Sequence, residues 1–316
     1  MNRNALLGAI AWLSLMIATR FQEADLGWVD LLFLFAPLVI VPLGLELTSR
    51  LEQGLVQPSP ERIARLFPLP CALAAAASFF FQRGLVAASL AAVWLVFCTL
   101  LSLGGASRLQ RGALRSLDSV FPVVAFLYLT IGGACFVAAR LGLKPMNFQE
   151  PIVLLTAVHF HYAGFAAPLL ARCARIALPC SRMRARGAAF LNGIVTGVLV
   201  GPGMLAAGFV IGPRVKLAAA IVLALGEVGL ALFFLFTLGH SGDLGAKLFI
   251  AVAAGSVFFS MALAALWAVG EYPLQPFVHL AEMARLHGTA NAFGFALCGL
   301  LGWARAAGTG ARAGEE

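Results

Sequence analysis

The sequence predicts an all-α fold: a polytopic transmembrane helix bundle of about ten spans. Three observations lead there. Of 316 residues, 61% are hydrophobic and 11% charged, whereas a soluble domain carries roughly a quarter charged residues. Apolar runs of membrane-spanning length, about 20 residues each, follow one another along the whole chain. The connections between them are short, so no separate soluble domain fits.

The runs fall in order at 4–19, 28–48, 67–82, 84–104, 119–141, 151–171, 188–211, 215–239, 246–269 and 286–304. The first follows Arg3 and ends at Arg20, like the charged and apolar regions of a signal peptide. No small-x-small cleavage site is clear and further spans follow, so it reads as an uncleaved first helix. The third and fourth runs are divided only by Gln82 and Arg83, which leaves room for a short re-entrant hairpin. No period of 20–50 residues repeats. Residues 1–304 read as one transmembrane helical domain. Residues 305–316, "RAAGTGARAGEE", read as a short disordered cytoplasmic tail.

Charge orients the bundle. The formal net charge is +8, and basic residues concentrate on the cytoplasmic side of membrane proteins. With ten spans and a cytoplasmic N-terminus, the inner segments hold Arg3, Arg50, Arg62, Arg65, Arg108, Arg111, Arg115, Arg172, Arg175, Arg182, Arg184, Arg186, Lys247, Arg305 and Arg312, which is 15 of the 22 Lys and Arg residues. Both termini are then cytoplasmic. No basic cluster is interleaved with exposed aromatics, so nucleic acid is not an expected partner. The six cysteines form no CxxC pair. Cys71, Cys98, Cys135 and Cys298 lie inside apolar runs, and Cys173 and Cys180 flank a basic loop without zinc-site spacing.

Polar residues inside spans are costly and mark cavities, relays or helix contacts. "HFHYAGF" places His159, His161 and Tyr162 in the sixth run. On an α-helix, residues two apart point about 200° apart, so His159 and His161 do not share a metal there. His161 shares a face with Ala157, Gly164 and Pro168; His159 shares one with Tyr162. Each histidine could bond a neighbouring helix or line a polar cavity. Glu227, near the middle of the eighth run between Gly226 and Gly229, is costly to bury as a charge, so the neutral acid is its expected form. In "RLHGTANAFGFALCG", His287, Asn291, Gly294 and Cys298 fall on one helix face. In "LNGIVTGVLVGPGM", Gly193, Gly197 and Gly201 form a GxxxGxxxG stripe suited to close helix packing, and Pro202 suggests a kink or a broken helix. Gly164 and Gly294 belong with the packing glycines. No Walker A loop, HExxH or HxxxH box, Arg-rich voltage sensor or TVGYG filter occurs.

The pair "HFHYAGF" and "HGTANAFGF" resembles the YndJ-like family of bacterial membrane proteins. The resemblance implies a protein of the bacterial inner membrane, in a family whose members are often labelled transporters, and directs attention to His159, His161, Tyr162, Gly164, His287, Gly288, Asn291 and Gly294. Two function classes remain open. One is a transporter of an unidentified small solute, with His159, His161, Tyr162, Glu227, His287 and Asn291 along a substrate or proton pathway. The other is an intramembrane enzyme acting on a lipid or isoprenoid-like substrate, with Glu227 as general acid and a histidine as base. An accessory subunit is the plainer alternative. Membrane lipid and a small or amphipathic ligand are the expected partners; no cofactor and no metal is expected, and no feature sets the oligomeric state.

Reporter fusions at Arg184 and at the C-terminus should both read cytoplasmic. A periplasmic C-terminus would mean that one span has been miscounted.

Overall fold

The computed structural model describes residues 3–52, 59–110, 117–178, 185–240, 243–271 and 277–312. Each of the ten apolar runs is helical there, and one short helix is added. In order they are α1 (Arg3–Arg20), α2 (Trp28–Leu51), α3 (Ser59–Ala64), α4 (Pro68–Phe80), α5 (Leu85–Gln110), α6 (Leu117–Leu141), α7 (Ile152–Ala177), α8 (Ala185–Ile211), α9 (Pro213–Thr237), α10 (Leu244–Glu271) and α11, which runs through Leu280–Thr289, Ala290–Leu297 and Cys298–Arg312. The fold is a polytopic helical bundle, and no strand occurs among the described residues. Arg111, Arg115, Cys180, Arg182 and Arg184 lie outside them.

Seven of these helices are long and apolar enough to cross a membrane, fewer than the ten runs. The three others fall short for visible reasons. Helix α1 carries an arginine at each end of its 18 residues. Helix α4, Pro68–Phe80, is shorter; its length of roughly 20 Å does not cover a hydrocarbon core of about 30 Å. Helix α11 is interrupted by His287, Thr289 and Asn291. It also continues to Arg312, so most of the segment expected as a disordered tail is helical.

Where one domain was expected, the chain forms two compact units, Met1–Ala166 and Ala167–Glu316. In the first, α5 and α6 pack along their length, and Ser102 Oγ donates to Phe126 O at 2.7 Å across that seam. Helix α3 docks on α5 because Gly104 has no side chain: a Cβ there would lie 2.6 Å from Glu61 Cβ. Glu61 is fully buried and accepts from Arg65 Nε at 3.0 Å. Arg65 also reaches Leu45 O and Ser49 Oγ, each at 2.6 Å. One guanidinium thus ties the end of α2 to α3. In the second unit, α8 and α9 meet at Gly197, where a Cβ would lie 3.5 Å from Gly226 Cα. At the far end, Arg305 Nε donates to Asp243 Oδ2 at 2.9 Å, joining α11 to the start of α10. That hydrogen bond holds the Asp243 carboxyl below its ordinary range, so this link weakens as pH falls through that lowered range.

Three segments widen from α- to π-winding: Ala36–Ile40, Phe160–Ala166 and Ala290–Leu297. Prolines accompany the first two. Pro37 lies inside the first and Pro168 just follows the second, and proline cannot make the i→i−4 bond of a regular turn. The third contains no proline; there Gly294 abuts Ser256, with room for no Cβ. Helix α8 runs unbroken through Pro202, so of the kink or break expected there, the break does not occur.

Of the GxxxGxxxG stripe, Gly197 and Gly201 face α9 while Gly193 has open space. A Cβ at Gly201 would fall 2.8 Å from Leu223 Cδ1 and 3.1 Å from Leu223 Cα. Gly201→Ala should therefore destabilise the protein by about 1–3 kcal/mol through overpacking. Gly193→Ala should be neutral or stabilising by up to ~1 kcal/mol, the helix-propensity gain over glycine. Unfolding in detergent would check both, and equal effects would remove the close contact at Gly201.

Candidate functional site

The six polar residues singled out in the sequence divide between the units: His159, His161 and Tyr162 in the first, Glu227, His287 and Asn291 in the second. Each group has its own geometry.

His161 is fully buried. The indole Nε1–H of Trp94 donates to His161 Nε2 at 2.9 Å. An indole nitrogen can only donate, so Nε2 holds a lone pair and no proton. The other ring nitrogen, Nδ1, lies 2.7 Å from Ala157 O, and a carbonyl can only accept. Nδ1 therefore carries the proton. Both ring nitrogens are committed, the tautomer is set, and the imidazole is neutral. Protonating Nε2 would turn the Trp94 N–H against another N–H in a fully buried site. Phe33 meets the imidazole edge-on at 5.1 Å, and Gly132 makes room for it: a Cβ there would lie 2.7 Å from Nδ1. This is a helix-bridging histidine, without a lone pair left for a metal or a transported proton. The α-helical face assignment for "HFHYAGF" also changes, because residues 160–166 are π-wound.

Tyr162 serves α2. Its hydroxyl donates to Leu32 O at 2.8 Å. That carbonyl is available because of Pro37. The Ala36 N–H turns to Phe33 O, and the next residue has no N–H to offer Leu32 O. A buried carbonyl must find a donor, and the phenol supplies it. Gly164 lets Tyr128 approach, since a Cβ there would sit 2.6 Å from Tyr128 Cβ. His159 is half-buried, with its ring edge-on to Phe160 at 5.7 Å.

In the second unit, Glu227 is 3% exposed, and neither carboxyl oxygen has a hydrogen-bond partner among the described residues. The glycines beside it explain its position. Gly226 abuts the backbone of Gly197 and Val198, and Gly229 abuts Ile194, so α9 lies tightly on α8. Glu227 occupies the next face, seven residues before Phe234, which packs against Phe295 and Trp303 of α11.

His287 and Asn291 form a separate polar layer with Ser260 of α10. His287 Nδ1 donates to Ser260 O at 2.9 Å, Asn291 Nδ2 donates to His287 O at 2.9 Å, and Ser260 Oγ donates to Asn291 Oδ1 at 3.3 Å. Gly294 continues this contact one turn on, against Ser256. With Nδ1 donating, Nε2 of His287 keeps its lone pair outside this network. Counted from the α9–α10 connection at ~1.5 Å per residue, Glu227 lies about 15 Å deep and Ser260 about 25 Å. The two layers are about 10 Å apart along the axis. Sequence reasoning did not find Trp94, Ser260 or Gly132. Each is an ordinary residue of an apolar run, and only a partner distant in sequence gives it a role.

The sequence pattern of the family described as YndJ-like protein matches residues 31–295. Over 314 residues the chain is 24% identical to a Bacillus subtilis (strain 168) protein described as "Uncharacterized membrane protein YndJ", covering 96% of this chain and 53% of that protein. The chain thus spans about half the length of this relative. No solved structure matches.

The His161–Trp94 bond can be isolated by a double-mutant cycle. His161→Phe leaves a buried indole N–H without an acceptor and should cost about 1–3 kcal/mol. Trp94→Phe should cost less in the His161→Phe background than alone, with a coupling of about 0.6–1.7 kcal/mol. Additive losses would mean that the two residues share no bond.

Proposed function

The chain belongs to the YndJ-like family of membrane proteins, and from that premise we propose that it is a transporter of a small solute, coupled to proton or cation movement through Glu227. The observation that carries this reading is a carboxyl buried near the middle of a membrane-spanning helix with both oxygens unpartnered in the protein. A structural carboxyl would take a partner within the protein, as Glu61 takes Arg65. A solitary buried carboxyl suits a group that takes up and releases a proton or a cation as its surroundings change.

His287 supports the same reading. It keeps one ring nitrogen uncommitted, on the layer about 10 Å along the axis, so a proton or polar solute leaving Glu227 would next meet His287 and Asn291. His161 and Tyr162 hold the first unit together and stand outside this pathway. His159 is a secondary candidate on exposure alone. Counted with all ten apolar runs crossing, the excess of basic residues in the inner segments supports a cytoplasmic-membrane location with both termini inside.

Profiling of metabolites and lipids in cells with and without the protein tests the class: a redistributed, chemically unaltered solute is expected, and a new covalent product would choose the enzyme. Glu227→Gln keeps shape and hydrogen bonding but cannot carry a proton. It should abolish the redistribution while leaving the melting temperature within about 2 °C, a shift below ~1 kcal/mol. Glu227→Leu should be at least as stable as the parent and equally inactive. Full activity in Glu227→Gln would remove Glu227 from the pathway.

A further inference from the structure

Four charged side chains meet at one end of the first unit, and the proposed pathway uses none of them. Asp30 is in the first turn of α2, Arg83 precedes α5, Arg140 is the penultimate residue of α6, and Glu150 precedes α7. The packing below brings them together. Phe33, one turn on from Asp30, stacks on Phe136, one turn before Arg140, at 4.1 Å. Phe79 packs against both rings, at 6.2 and 5.7 Å, and the Arg140 guanidinium lies 4.7 Å above it. Three phenyl rings thus form an apolar floor. Arg83 is held beside Arg140 by the Gly84 N–H, which donates to Arg140 O at 2.9 Å. Asp30 and Arg140 each interact electrostatically with the other three charges.

The cluster is bipolar. The two guanidiniums sit where α5 starts and α6 ends; the two carboxylates sit where α2 and α7 start, and those helices pack together. Among the described residues no ion pair within 4.0 Å joins the four. Arg140 is 8% exposed. Its Nη2 donates to Ser78 O at 2.9 Å and Phe81 O at 2.7 Å, while its buried Nε–H has no acceptor in the protein. Glu150 uses Oε2 to accept the Leu154 N–H at 3.3 Å, and its buried Oε1 has no donor. Asp30 accepts the Gly27 N–H at 2.8 Å. Adjacent guanidiniums repel unless an anion lies between them, and the same holds for carboxylates and a cation. Equal numbers of each favour a neutral dipolar ligand over a simple ion. Every one of the four lies within about two residues, or ~3 Å, of a span end, which is the depth of lipid headgroups.

We propose that this cup binds a zwitterion of the phosphoethanolamine type, a phosphate joined to a primary ammonium. The phosphate sits between Arg83 and Arg140, whose planar forks match its oxygens. The ammonium faces Asp30 and Glu150. The same chemistry occurs in a membrane lipid headgroup and in the free phosphate ester, and the experiment separates the two sources. The full chain in a neutral detergent is titrated with short-chain phosphatidylethanolamine, O-phosphoethanolamine, short-chain phosphatidylglycerol, ethanolamine and inorganic phosphate, and binding is read by native mass spectrometry. At least one zwitterion should bind about tenfold or more tightly than the last three. Binding of the lipid alone assigns a membrane source; comparable binding of O-phosphoethanolamine assigns a soluble one. Arg83→Gln and Glu150→Gln should each weaken the zwitterion by about tenfold without changing the ligand-free melting temperature. The proposal is overturned if phosphatidylglycerol or inorganic phosphate binds as tightly, if neither zwitterion binds, or if both variants bind like the parent.

Discussion

Hydrocarbon offers no water to complete a hydrogen bond, and that constraint organises both units of this protein. Each polar group buried in a span must find its partner in the protein or stand as a cost. The Trp94–His161–Ala157 chain shows how the demand is met. One indole N–H, one imidazole with its tautomer set and one carbonyl close a line of two hydrogen bonds between α5 and α7. Tyr162 does the same for the carbonyl that Pro37 leaves without a backbone donor. The Arg65 fan on Glu61, Leu45 and Ser49 repeats the principle at a helix end.

Against this background Glu227 stands out, because both of its oxygens break the rule. Its burial follows from Gly226 and Gly229, which draw α9 onto α8. A helix pair could seat an apolar residue at that position at no desolvation cost, so packing alone does not call for a carboxyl there. The contrast with His161 sorts the polar residues by chemistry rather than by depth. Those with every donor and acceptor in use hold helices together. Glu227 and the Nε2 of His287 have unused capacity, and the proposed pathway rests on them.

The π-wound turns connect local sequence to these arrangements. Proline removes a backbone bond, the helix widens, and a carbonyl or side chain is redirected toward a neighbouring helix. Two π-wound turns fall in "HFHYAGF" and "HGTANAFGF", the second without a proline, so both motifs lie where backbone geometry departs from the regular helix. Gly132, opposite the turn that holds His161, and Gly294, within the turn that faces Ser256, admit side chains where a Cβ would collide.

The sequence by itself determined the fold class and the place of every long helix, because apolar length is a local property and the bilayer is a uniform solvent. It also located the polar residues in spans, since a histidine or carboxyl in an apolar run is visible at once. It did not determine which were structural. His161 and Glu227 look alike in sequence, each a titratable residue near small neighbours. Only tertiary structure supplied Trp94 to one, 67 residues away, and no partner to the other. Nor did periodicity reveal the π-winding, which moved the faces assigned to His161 and Gly164. The division into two units and the meeting of Asp30, Arg83, Arg140 and Glu150 depend on which helices pack together. Hydropathy cannot specify that, because every apolar face is equally content against lipid; close glycine contacts and hydrogen bonds between distant residues decide it.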